Sequence, residues 1–140
     1  MNIPFSPPDI SEAEINEVAE ALRSGWITTG PRVKSLENRL SEYCHTSKMV
    51  CLNSATASEE LNFRICGIGE GDEVIVPAYT YTATASAAVH CGAKVIFVDS
   101  RKDSTEMDYD KVAAAITEKT KAIVAVDLAG IVADYDKLYK

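Results

Sequence analysis

Apolar residues follow two patterns along this chain, a helical repeat first and short unbroken runs later. Ile15, Val18, Ala19 and Leu22 fall on one helical face. Ser11 and Glu14 have capping-box spacing, Ile10 and Ile15 suit a hydrophobic staple, and Gly25 supplies a stop. Val33, Leu36, Leu40 and Tyr43 predict a second helix. The run Met49-Val50-Cys51-Leu52 then predicts a buried strand over 49–53, followed by a helix carrying Leu61 and Ile65 to about Cys66. Val74–Val76, Lys94–Val98 and Ala122–Val126 predict three more strands. Between them lie an alanine-rich helix running to about Cys91 and a short helix capped by Asp108. A last turn begins near Asp134. Four strands alternating with helices predict an α/β fold with a mainly parallel sheet. Ligands of such sheets bind outside the carboxyl ends of the strands. The turns at 53–58, 77–82 and 127–130 all fall at that edge.

Composition narrows the classes. The chain has 140 residues, one-domain length, with 46% hydrophobic and 25% charged residues. Its net charge of −7 and the lack of a Lys/Arg cluster argue against nucleic acid. The N-terminus lacks the pattern of a secretory signal, and the stretch Ala122–Ala133 is too short to span a membrane. Cys44, Cys51, Cys66 and Cys91 sit in or beside apolar patterns, which predicts reduced cysteines in a cytoplasmic core. His45 and His90 are isolated, so no metal site is expected.

Asn53-Ser54-Ala55-Thr56-Ala57-Ser58 combines small and hydroxylated residues at a strand-to-helix turn. Free amides and the helix dipole favour an anion there, and Ser54, Thr56 and Ser58 could add hydroxyl donors. An ordinary helix cap reads equally well from these residues. Gly67–Asp72 has the look of a dinucleotide glycine loop but follows a helix, so a helix stop and tight turn are expected. Tyr79 and Tyr81 offer exposed aromatics beside hydroxyls. A phosphate anchor with an aromatic platform suits pyridoxal phosphate or a nucleotide. The Gly25–Pro31 loop reads either as core-anchored or as the rim of a site or subunit contact.

Five ordered segments make the chain resemble the DegT/DnrJ/EryC1/StrS sugar aminotransferases, fold type I pyridoxal-phosphate enzymes. They are GWITTGP (25–31), NSATAS (53–58), GIGEGDEVIVPAYTYTATA (67–85), GAKVIFVD (92–99) and, more weakly, VDLAGIVADYD (126–136). The resemblance implies a three-layer αβα fold, with this chain as the N-terminal portion of the large domain. Within it, residues 1–9 form an extended arm, 10–46 the N-terminal helices and loop, and 47–140 the alternating strands and helices. It implies that Ser54, Ala55, Thr56 and Ala57 contact the cofactor phosphate and that Tyr81 stacks on the pyridine ring. Trp26, Thr28 and Thr29 match a substrate or interface loop. The implied cofactor is pyridoxal 5'-phosphate, the substrate a nucleotide-linked keto-sugar, the amino donor glutamate, and the assembly a homo-oligomer, dimer or larger.

Departures from the family pattern are Glu59, where an apolar residue is usual, and Asp127, where His is frequent. The family's Schiff-base lysine and its pyridine-nitrogen aspartate match no position here. The expectation is therefore a first-third segment, carrying no catalytic residue, that binds cofactor weakly and is inactive alone. Alternatives are a non-catalytic module completed by a partner chain, an unrelated phosphate- or nucleotide-binding α/β domain, and, within the family, a sugar dehydratase.

Overall fold

The computed structural model describes Ile3, Pro4 and residues 6–139. The expected arm at 1–9 falls partly on residues 1, 2 and 5, outside the described residues; Ile3, Pro4 and residues 6–9 are exposed and outside helix or strand. Two compact units are present, Met1–Cys51 and Leu52–Lys140.

In the first unit, α1 (Glu12–Arg23) opens with the predicted capping box. The Ser11 amide donates to Glu14 Oε2 at 2.7 Å, and the Ser11 hydroxyl accepts from the Ala13 amide at 3.2 Å. α2 (Pro31–Tyr43) starts with proline at its first position, where the missing N–H has no helical partner to lose. Arg32 ties it to α1, with Nε 2.6 Å from Glu17 Oε1. Ile10 and Ile15, the expected staple, both remain exposed, as do Val18, Leu22 and Leu36.

The strand expected over 49–53 does not form among the described residues. An apolar run becomes a strand only where a neighbour completes its hydrogen-bond ladder. Here the Cys51 amide donates to Glu37 Oε1 at 2.9 Å, and Val50 is exposed.

The second unit holds a parallel sheet of three strands in the order β2-β1-β3: β1 (Glu73–Pro77), β2 (Lys94–Val98) and β3 (Thr120–Ile123). β3 begins two residues before the expected stretch and ends at Ile123; one further bond, Val124 N–H to Ile75 O at 2.9 Å, continues the pairing. All five residues of β1 are buried, as befits the central strand of a sheet covered on both faces. Val74 and Val76 pack with Phe63, Ile68, Ala87, Ala88 and Ala93, the side of α3 (Ala55–Ile65) and α4 (Thr82–His90). Ile75 points the other way, to Val98, Met107 and Val112 of α5 (Tyr109–Ala115), with Leu138 of α6 (Tyr135–Leu138) beside them. A mixed fold of helices and parallel sheet is the result.

Both helices on the first face end in the same way. After α3, the Ile68 amide reaches Phe63 O and the Gly67 amide reaches Arg64 O; after α4, Ala93 reaches Ala88 O and Gly92 reaches Val89 O. These paired bonds, with Gly67 at φ 71° and Gly92 at φ 90°, are Schellman stops. Gly67–Asp72 is thus a helix stop and turn. Cys44, Cys66 and Cys91 occupy the C-caps of α2, α3 and α4, and all four thiols are free. Cys44 and Cys66 are exposed, contrary to the expected core placement, because a C-cap side chain lies at the rim of its helix. No helix among the described residues is long and apolar enough to cross a membrane.

Glu73 is 6% exposed and fully partnered: Thr117 Oγ1 donates to Oε2 at 2.7 Å and Lys94 Nζ to Oε1 at 2.9 Å. The Thr117 hydroxyl, then Lys94, hold its carboxyl below the usual value. A lowered acid stabilises the fold above its unfolded-state pKa and stops doing so as pH falls through the folded-state value. Parent chain is therefore expected to exceed Glu73→Gln in urea-unfolding stability at pH 7, with the gap closing below about pH 4.

Candidate cofactor-binding site

α3 ends at Ile65, and the turn at 66–72 leads straight into β1. The helix therefore runs back along the strand, with its N-terminus toward the strand's carboxyl end. α4 begins at Thr82, just past Pro77, and packs beside α3. His90 Nδ1 lies 2.6 Å from Glu60 Oε1, and Cys91 Sγ donates to Glu60 O at 3.6 Å. Both helix N-termini thus face the carboxyl edge of the sheet, the ligand edge of parallel α/β folds.

At the start of α3, Ser54 is the N-cap, and its Oγ accepts from the Ala57 amide at 3.1 Å. The Ser58 amide is bonded to Ser54 O at 3.2 Å. Among the described residues, the amides of Ala55 and Thr56 have no such partner, as the first turn of a helix dictates. The Ser54 hydroxyl proton also stays available, since Oγ accepts the Ala57 bond. No acid occupies the first turn. Two free amides, a hydroxyl donor, small side chains and the positive end of an eleven-residue helix form a seat for an anion. Ala57 differs from its neighbours in that its amide orients Ser54. Thr56 is half-buried, and Ser54 and Ser58 are exposed.

Tyr81 is the N-cap of α4 and 79% exposed, so its ring is open to a planar ligand. Tyr79, 60% exposed, lines a small cavity with Pro77, Met107, Val126 and Ala133. A contact between Thr80 Oγ1 and Thr84 Oγ1 at 3.1 Å steadies the turn carrying both rings. The third turn of this edge has a device that sequence reading missed. Asp127 Oδ1 accepts from the Ala133 amide at 3.0 Å, closing a loop in which Ala129 has φ 53° and Gly130 φ 81°. Tyr109 Oη secures the far side, accepting from the Asp134 amide at 2.6 Å and donating to Glu106 Oε1 at 3.0 Å. A lone aspartate after an apolar run is the one signal that could have suggested such a closure.

In the first unit, the Ser24 hydroxyl accepts from the Trp26 amide at 3.2 Å, and the Trp26 ring lies against Gly30. Trp26 is 57% exposed, so the loop is not core-anchored; Thr28 and Thr29 are also exposed.

Comparison with known proteins bears on this arrangement. The model of the DegT/DnrJ/EryC1/StrS aminotransferase family matches residues 8–140. The chain belongs to this family. It is 42% identical over 137 residues to the UDP-4-amino-4-deoxy-L-arabinose–oxoglutarate aminotransferase of Shewanella sediminis, covering 98% of this chain and 35% of that protein. It is 38% identical over 136 residues to the spore coat polysaccharide biosynthesis protein SpsC of Bacillus subtilis, with 97% and 35% covered. Among solved structures, the PLP-form of Spr1654 from Streptococcus pneumoniae, assigned as a sugar aminotransferase, superposes with a TM-score of 0.94 at 63% identity, over 99% of this chain and 36% of that one. The chain thus spans about a third of the length of these relatives. Pyridoxal phosphate is the family's cofactor, and the free amides at the acid-free start of α3 suit its phosphate group.

Glu59, inside α3, has Oε2 buried with no hydrogen-bond partner among the described residues. Burial pushes its carboxyl pKa up. A raised acid favours the fold below the unfolded-state pKa and loses that advantage as pH rises through the folded-state value. Glu59→Leu is therefore expected to raise the urea midpoint at pH 7 and to gain less below about pH 4, the opposite of the Glu73 trend.

Proposed function

We propose that this chain supplies the phosphate-binding cradle and aromatic platform of a pyridoxal-phosphate-dependent aminotransferase. Its substrate is a nucleotide-linked keto-sugar and its amino donor glutamate. The observation that carries the reading is the start of α3: an anion seat in an 11-residue helix at the carboxyl edge of a parallel sheet, within a family match over residues 8–140. Ala55 and Thr56 hold the phosphate by their amides, Ser54 and Thr56 by their hydroxyls, and Ala57 keeps Ser54 in place. Tyr81 offers its ring to the pyridine face. Pyridoxal phosphate, when bound, supplies the electron sink that amino-group transfer requires.

The Gly25–Pro31 loop contacts the sugar-nucleotide substrate through Thr28 and Thr29. The apolar stripe Ile15, Val18 and Leu22, exposed on α1, is covered by a second copy of the chain in a homodimer or larger assembly. Four unpaired thiols accord with a reducing cytoplasm.

The lysines of the sheet do not serve the cradle. Lys94 starts β2 and Lys121 lies in β3 near its amino end, at the edge opposite the ligand turns. Lys94, Lys111 and Lys137 are paired with Glu73, Asp99 and Asp134. The 140-residue chain alone is expected to show no transamination with glutamate, and borohydride reduction with peptide mapping to find scattered, substoichiometric lysine labelling. One stoichiometrically labelled lysine with turnover would contradict this.

In the complete polypeptide, Thr56→Ala removes one donor to a charged phosphate. Cofactor affinity is expected to fall about tenfold or more, read by equilibrium dialysis. Unchanged retention in Thr56→Ala and Ser54→Ala alike would remove the cradle.

A further inference from the structure

Gly30 has a purpose that its backbone does not explain. It is the N-cap of α2, at φ −155° and ψ −158°, an extended conformation open to any residue. Gly25, at the other end of the same loop, is the opposite case: φ is +75°, and nothing stands within 4 Å of where a Cβ would be. At Gly30 the obstacle is a side chain. A Cβ there would lie 2.8 Å from Cε3 and 3.2 Å from Cδ2 of Trp26. Cε3 belongs to a rigid bicyclic ring, so a methyl group could enter only if the whole indole moved. Serine or aspartate at this position would have capped α2 through its side chain; glycine leaves α2 without a side-chain cap.

The backbone that carries the ring is anchored on both sides. The Trp26 amide is held by Ser24 Oγ, which in turn donates to Ala21 O at 2.7 Å. Pro31 fixes the chain just past the ring. Between these anchors only Ile27, Thr28 and Thr29 remain, all exposed, with Ile27 at 75%.

We infer that Gly30 is a positioning residue: by leaving room for the Trp26 indole, it presets the loop that holds Thr28 and Thr29 toward the nucleotide-linked sugar. This rests on the reading of the loop as a substrate contact. Gly30→Ala displaces the indole and the threonines with it, and because the loop makes no covalent chemistry, the effect falls on substrate binding.

The test is a double-mutant cycle in the complete polypeptide with Gly30→Ala, Trp26→Ala and the pair. Gly30→Ala is expected to raise KM for the sugar nucleotide about tenfold while kcat and the KM for glutamate hold. In the Trp26→Ala background, adding Gly30→Ala should change nothing further, since the clash is gone. That background also shows that alanine at 30 permits folding. Equal effects of Gly30→Ala in both backgrounds would overturn the inference, as would an unchanged KM in the single variant. Calorimetric binding of a UDP-linked hexose gives the same comparison without turnover. Failure of the parent to transaminate would therefore strike the proposed function alone, while the cycle still decides the role of Gly30.

Discussion

Burial of β1 on both faces is the constraint on which residues 52–139 depend. Val74, Ile75 and Val76 have no solvent exposure, and alternation along the strand sends the valines to one face and the isoleucine to the other. Each such side chain contributes about 1.5–3 kcal/mol when buried. Helices must cover both faces for that gain to be realised. α3 and α4 cover the valine side, and both have to return to the start of a strand. Their Schellman stops at Gly67 and Gly92 make that return short. Two helix N-termini are left at the carboxyl edge as a geometrical consequence, and the anion seat is one of them.

Two glutamates show how differently the same side chain can be buried. Glu73 sits in the sheet with a hydroxyl and an ammonium on its two oxygens, so its charge is stabilised. Glu59 sits in α3 with one oxygen sealed and unpartnered, so its charge is penalised. The first holds the amino end of β1 to Lys94 and Thr117. The second lies one turn beyond the cradle. Their opposite responses to acid follow from partners alone, since sequence spacing treats both as glutamates near an apolar run.

Much of the architecture was legible in local patterns because local physics decides it. The capping box at Ser11 and Glu14, the cap at Asp108, the stops at Gly67 and Gly92 and the apolar run Val74–Val76 all act within a few residues. The strand expected over 49–53 failed for the converse reason: hydrophobicity makes a run suitable for a sheet, but only a neighbour with free amides and carbonyls makes it a strand. The pairing of β3 to β1 passes through an irregularity at its amino end, between Glu73 and Val74, which spacing along the chain does not announce. Cys44 and Cys66, read as core residues, proved to be exposed C-caps, whereas Cys91, also a C-cap, packs against the core, a distinction that depends on where each helix stops.

At the site, residue type and order along the chain were enough to mark Ser54–Ala57, Tyr81 and the Trp26 loop as chemically interesting. Helix N-termini and exposed aromatics announce themselves locally. Tertiary structure decided which groups are free. It showed that the Ala57 amide is taken by Ser54, that Asp127 spends its carboxylate on closing a loop to Ala133, and that Trp26 rests on Gly30 in place of a core. Hydrogen-bond partnership and excluded volume are properties of pairs of atoms brought together by the fold, so the sequence determined the candidates and the packing determined their roles.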